Sequence, residues 1–269
     1  MFASMFSLGR TRISRRALLS TLSLCAIGAG VGLGALQASA QDKGPSEVPI
    51  EELMKPGQLD EIALGPADAK VIVVEYASMT CSHCAHFSKD VWPVFKKKYV
   101  DSGKVRYIFR EFPLDDLASG ASMLARCTGG DKTMPFIEVL FEKQKEWAFS
   151  EGNPLPRLYE LAKQAGFTQE SFDKCLTDQK LLDKIIAGRS RGAEVFGVAA
   201  TPTFFINGKR LIGEPNLAAF DKMIEPILGP DAGQGTSPSP PPADQGTTTT
   251  PNAASADKGT PPADKGPSK

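Results

Sequence analysis

Apolar positions along this chain change period in a way that separates two kinds of element. Val71, Ile72, Val73 and Val74 run without a break into Glu75 and Tyr76, a β-branched stretch that predicts a strand buried on both faces. After Cys81-Ser82-His83-Cys84 the period lengthens. Phe87, Val91 and Phe95 recur at helical spacing, and Lys96, Lys97 and Lys98 fall where cations complement the far end of a helix dipole. Pro93 inside that helix predicts a kink. A strand over 105–109 follows, which completes a strand–helix–strand unit with the CxxC at its first turn.

From about 116 to 197 the pattern is helical throughout. Helices are predicted over 117–128, closed by Gly129-Gly130, and over 135–148, with Ile137, Leu140, Phe141 and Trp147 on one stripe. Others cover 158–165, ending at Gly166 as a C-terminal cap, 169–176, and 178 to about 196. Strand signals return over 202–206, turn at Asn207-Gly208, and resume over 209–212 before a last helix over 217–228. The fold class is α/β: a βαβ half and a ββα half separated by an all-helical insertion.

Both ends differ in composition from this core. Arg10, Arg12, Arg15 and Arg16 precede an apolar run from Ala17 to about Leu36 that ends in Ala38-Ser39-Ala40, a small-x-small site, so residues 1–40 read as a cleaved export signal. Ser14-Arg15-Arg16-Ala17-Leu18-Leu19 resembles a twin-arginine signal, which implies export after folding. A single membrane anchor is the alternative; Gly28, Gly30, Gly32 and Gly34 dilute the run. Cys25 is expected to leave with the signal. Beyond about Gly229 the chain is Pro, Gly, Ala, Thr, Ser, Asp and Lys, with Pro-Pro-Ala-Asp recurring at 241 and 261. Such a tail, 230–269, cannot offset its ordering entropy and is expected to be disordered, unless it serves as a spacer. Residues 41–58 read as a shorter version of the same composition, which leaves one domain over 59–229.

Without the four signal arginines the chain carries 27 basic and 31 acidic residues, which argues against nucleic acid as a partner. Five cysteines become four, Cys81, Cys84, Cys127 and Cys175, and an even count in an exported protein points to two disulfides. Cys127 and Cys175 lie near the ends of two insertion helices, each on the apolar side, and read as a structural pair or as two buried free thiols.

A CxxC at the start of a helix is reactive because the unpaired N–H groups of the first turn favour the thiolate of its first cysteine, Cys81. Cys84, one turn in, is placed to resolve a mixed disulfide, and His83 to donate a hydrogen bond or a positive charge to the Cys81 sulfur. A stabilised thiolate makes the disulfide the stronger oxidant. A zinc half-site needs a second CxxC or a distant histidine pair, yet both histidines, His83 and His86, crowd this motif. Haem attachment needs histidine where Ala85 stands. Glu75, if buried, has a raised pKa suited to taking a proton from Cys84; the alternative is an exposed strand end. Thr201-Pro202 opens a strand beside the CxxC, and a cis bond there would leave the Thr201 backbone free to pair with an extended substrate.

Glu75-Tyr76 through Cys84, Arg110-Glu111-Phe112-Pro113-Leu114, the helical insertion and Ala200-Thr201-Pro202 through Asn207-Gly208 resemble the DsbA-like family of thioredoxin-fold proteins over about residues 58–228. The resemblance implies a thioredoxin fold and a periplasmic thiol:disulfide oxidoreductase. Such an enzyme passes its disulfide to reduced exported proteins and is reoxidised by a quinone-linked membrane partner; it needs no cofactor or metal and is expected to act as a monomer. It also implies that Cys81 attacks, Cys84 resolves, Glu75 is the buried acid and Pro202 is the cis-proline. Ser82 replaces the proline of the best-known members and Thr201 their valine, the latter as in disulfide isomerases. Both departures bear on the redox potential. The rival readings are a periplasmic isomerase or reductase, a thiol-dependent copper(I) carrier, and a surface protein that binds through its tail.

Overall fold

The computed structural model describes residues 44–230; the predicted signal, Cys25 and nearly all of the predicted tail lie outside them. Five strands form one sheet in the order β1-β3-β2-β4-β5. The central pair, β2 (Val71–Ala77) and β3 (Val105–Glu111), is parallel, and β1 (Ile62–Leu64), β4 (Thr203–Ile206) and β5 (Lys209–Arg210) join antiparallel.

Period-two alternation divides the strands between two cores. Val71 and Val73 of β2, Val105, Tyr107 and Phe109 of β3, and Phe204 and Ile206 of β4 face the larger core. Val74, Tyr76, Ile108 and Phe205 face a smaller one with Phe112, Phe196 and Val198. Each of the continuous apolar runs is thus explained by burial on both sides.

The larger core is covered by the helical segment 82–100 and by α10 (Leu217–Leu228), through Phe87, Phe95 and Phe220. Segment 82–100 is built of α2 (Ser82–His86) and α3 (Trp92–Phe95) alternating with π-helical turns at Phe87–Val91 and Lys96–Val100. Pro93 sits in the first turn of α3, directly after a π turn. The wider turn is where the missing proline N–H is accommodated.

Between β3 and β4 stand α4 (Asp116–Thr128), α5 (Thr133–Glu142), α6 (Gln144–Trp147), α7 (Leu155–Gln164), α8 (Gln169–Leu176) and α9 (Gln179–Phe196). The helix predicted over 135–148 is two helices, broken at Lys143 (φ −95, ψ 10). In α9 a Cβ on Gly192 would lie 2.9 Å from the Tyr76 ring, so that glycine permits the helix to sit close on the sheet.

Three expectations need correction. Strand β1 was not foreseen, and β5 ends at Arg210 rather than 212. Residues 44–58 do not behave as a shorter copy of the tail: the segment forms α1 (Ile50–Leu53) and buries Val48 and Leu53 in the smaller core. Its backbone follows the β4–β5 hairpin, with Val48 N donating to Gly208 O (2.8 Å), Arg210 N donating to Ser46 O (2.8 Å) and a bridge between Glu47 and Lys209. The Arg210 side chain, itself buried, donates to Pro45 O at 2.9 Å and Phe196 O at 2.7 Å. Two apolar side chains and a set of backbone bonds suffice to order a segment whose composition looks flexible.

Candidate active site

The loop 78–81 carries the chain from the end of β2 into α2. Cys81 is the N-cap of α2, in extended conformation (φ −80, ψ 119), so its Sγ accepts the Cys84 N–H at 3.4 Å. Cys84 lies one turn further and is fully buried. Both are free thiols.

The two sulfurs live in opposite electrostatic settings. The Cys84 thiol donating to it, the adjacent Thr201 side chain and the backbone N–H groups of Cys84 and His83 bring Cys81 down to about 5, against the opposing effect of burial. Burial pushes Cys84 well above the ordinary thiol range, and donation to Cys81 pushes it further. At neutral pH the first sulfur is a thiolate and the second holds its proton.

The His83 ring is exposed, and the hydrogen bonds to the Cys81 sulfur come from elsewhere. The backbone N–H of His83 is one of these donors. His86 turns its Nδ1 to Asp90, at 2.6 Å, on the exposed side of the helix. Among the described residues no three His, Cys, Asp or Glu side chains converge as a metal site.

The Thr201-Pro202 bond is cis, and the loop brings Thr201 O to 3.1 Å from Cys81 Sγ, a bond that only the protonated thiol can donate and that the thiolate releases. Thr201 Oγ1 is buried beside the Cys81 sulfur and, among the described residues, meets no other polar group that could bond it. Glu75, on the larger-core face of β2, is 2 % exposed, not at an open strand end. Burial raises it to about 8 while a hydrogen bond from the Tyr107 hydroxyl pulls it down. Its charge is felt at both Cys81 and Cys84.

Away from this centre Cys127 and Cys175 are joined as a disulfide, with Cα atoms 6.3 Å apart, linking α4 to α8. Beside it Arg126 makes a two-pronged ion pair to the buried carboxylate of Glu111.

Three contributors escaped the sequence reading. Tyr107 alternates with Val105 and Phe109, so its face is legible once β3 is placed beside β2. Asp115, the N-cap of α4, also accepts from Thr80 Oγ1 at 2.7 Å. Gln144, 3 % exposed, donates through Nε2 to Met79 O at 2.8 Å and to Cys81 O at 2.9 Å.

A family model described as Thioredoxin matches residues 58–226. A Rickettsia bellii protein that carries the provisional name protein-disulfide oxidoreductase is 35% identical over 170 residues, 62% of this chain and 65% of that one. The chain therefore spans just under two thirds of that relative's length. Among solved structures, Wolbachia pipientis alpha-DsbA1 is 32% identical with a TM-score of 0.61, over 67% of this chain and 96% of that one. Oxidised BdbD from Bacillus subtilis is 25% identical with a TM-score of 0.55, over 64% and 96%. The match runs through the helical insertion as well as through the sheet, and this decides the branch: the chain belongs to the DsbA-like family of thioredoxin-fold proteins.

Proposed function

We propose that this protein is an exported thiol:disulfide oxidoreductase that works as a dithiol oxidase, transferring the Cys81–Cys84 disulfide to reduced proteins. A substrate thiolate attacks Cys81 Sγ of the oxidised pair; the new sulfur–sulfur bond joins substrate to Cys81 and the Cys84 thiolate leaves, taking a proton from protonated Glu75. A second substrate thiolate then attacks the substrate sulfur of the mixed disulfide and expels Cys81 as thiolate. The substrate is oxidised by two electrons and the pair is reduced. Reoxidation reverses the roles: the Cys81 thiolate attacks a disulfide of a quinone-linked membrane partner and expels one partner thiolate; Glu75, now a carboxylate, takes the Cys84 proton, and the Cys84 thiolate attacks Cys81 Sγ, re-forming the disulfide and expelling the second partner thiolate.

The observation that carries this reading is Cys81 at the N-cap of α2, its Sγ accepting the Cys84 N–H at 3.4 Å, an arrangement that lowers its thiol to about 5. A stabilised thiolate favours the reduced protein and is a good leaving group, which drives disulfides outward to the substrate. Thr201 O, exposed to the thiol by the loop before Pro202, is placed to accept a backbone N–H of an extended substrate chain. Residues 1–40 direct the chain to the periplasm in this reading, and 59–229, with the ordered segment 44–58 packed on them, form the catalytic domain. No helix of the described residues is long and apolar enough to cross a membrane.

Equilibrating the protein with glutathione buffers and counting free thiols tests the proposal. A potential near about −120 mV supports the oxidase, and one near about −270 mV overturns it in favour of a reductase. Thr201 before Pro202 favours the isomerase as the second reading. Recovery of a scrambled substrate without added oxidant would select it.

A further inference from the structure

We infer that Gln144 is a positioning residue for Cys81, by which the helical insertion holds the reactive loop of the thioredoxin core. The inference rests on Cys81 being the attacking thiol. Gln144 is a buried neutral amide, and the protons of its Nε2 go to two carbonyls of one loop, Met79 O and Cys81 O. A side chain 63 residues away in sequence thus bonds directly to the peptide of the reactive cysteine.

The break at Lys143 sets up this reach. Gln144 is the first residue of α6, and Trp147 in the same short helix is fully buried and donates Nε1 to Leu140 O at 2.8 Å. α6 is therefore tied back to α5 while its first side chain crosses to the loop. On the other side the loop is held by Thr80 to Asp115 and by the Leu114 N–H, which donates to Ser78 Oγ at 3.3 Å. These stop short of Cys81; of the two sets of contacts, only that of Gln144 reaches it.

Fixing that peptide matters for the chemistry. Cys81 O accepts the Ala85 N–H at 3.1 Å as the first bond of α2, while Cys81 Sγ accepts the Cys84 N–H at 3.4 Å. The sulfur contact is long and strongly angle-dependent. A small rotation of the unbraced Cys81 peptide turns the sulfur away from the first-turn N–H groups and weakens their hold on the thiolate. A merely structural Gln144 would instead satisfy two buried carbonyls, and its loss would lower stability without touching the thiolate.

The test follows thiolate absorbance and alkylation rate of Cys81 against pH in the reduced wild type, in Q144M, which keeps length but has no donor, and in L53A, which removes a buried side chain from the smaller core. The expected result is a rise of the Cys81 pKa by about one unit in Q144M, a tenfold loss of thiolate below both values, with L53A unshifted although its melting temperature falls. Equal pKa values in Q144M and wild type, with only the melting temperature lowered, would overturn the assignment. A wild-type Cys81 that titrates as an ordinary thiol would instead sink the functional reading itself. Should Q144M not fold, the wild type decides: the Gln144 amide resonances must move between the dithiol and disulfide forms, and unmoved resonances count against it.

Discussion

The Tyr107 hydroxyl donates to Glu75 Oε2 across two adjacent parallel strands, from a position two residues out of register. One phenol therefore sets how strongly the buried acid under the CxxC holds its proton. In Tyr107→Phe the downward pull is lost, and burial together with the Cys81 charge acts unopposed, so the Glu75 pKa rises further above about 8. The acid limb of the pH–rate profile for reoxidation, where Cys84 must lose its proton, is expected to move to higher pH. A profile that superimposes on the wild type would disconnect Glu75 from that step.

Glu75 also couples stability to pH. Its folded-state value, about 8, lies above the unfolded value of 4.5. Between these values the folded protein keeps a proton that the unfolded chain has released, so stability is full below about 4.5 and is lost as pH rises through 8. Glu75→Gln removes the loss. Denaturant unfolding should show the variant ahead by a few kcal/mol at pH 8, at roughly 1.4 kcal/mol per unit, with the advantage shrinking toward pH 4. A constant difference across that range would mean that Glu75 does not titrate as its burial demands.

Cys81 has the opposite sign. Its folded value, about 5, lies below the ordinary thiol value of 9, so the reduced protein gains stability present above 9 and lost as pH falls through 5. The oxidised protein has no such thiol. Unfolding the two forms in parallel should show the reduced-minus-oxidised difference growing by roughly 1.4 kcal/mol per pH unit between 5 and 9 and flat below 5. A pH-independent difference would contradict a stabilised thiolate.

The ordered segment before β1 gives a fourth expectation. Val48 and Leu53 are buried in the smaller core, each contributing roughly 1.5–3 kcal/mol. A chain beginning at residue 58 should unfold at distinctly lower denaturant than one beginning at 41, with Arg210 left without its Pro45 acceptor. Identical midpoints would mean that the segment contributes no net stability.

What the sequence made legible was local. The β2 run, the CxxC at a helix start and the Asn207-Gly208 turn, where both residues have positive φ, each announce themselves within a few residues. The burial of Glu75 was left open there, since a charged residue near the end of an apolar run fits an exposed strand end as well as a buried acid. What escaped depends on distant partners. β1 has three residues and owes its existence to β3. Val48 and Leu53 are too sparse to show a period, and they order because Val74 and Phe205 await them. Gln144 sits in a stretch that reads as one helix, and only the break at Lys143 turns it toward the loop.

The segment from Pro45 to Val48 has one more consequence, for what the sheet offers to other chains. Lying along β5, with Glu47 paired to Lys209, it occupies the backbone groups of one sheet margin, and the opposite margin, β1, is only three residues long. An open, long margin is a template for β-aggregation. An oxidase of reduced proteins, as proposed above, would meet extended backbone constantly; among the described residues this sheet leaves such chains little to add to at its margins, while the main chain at Thr201 stands beside the sulfur.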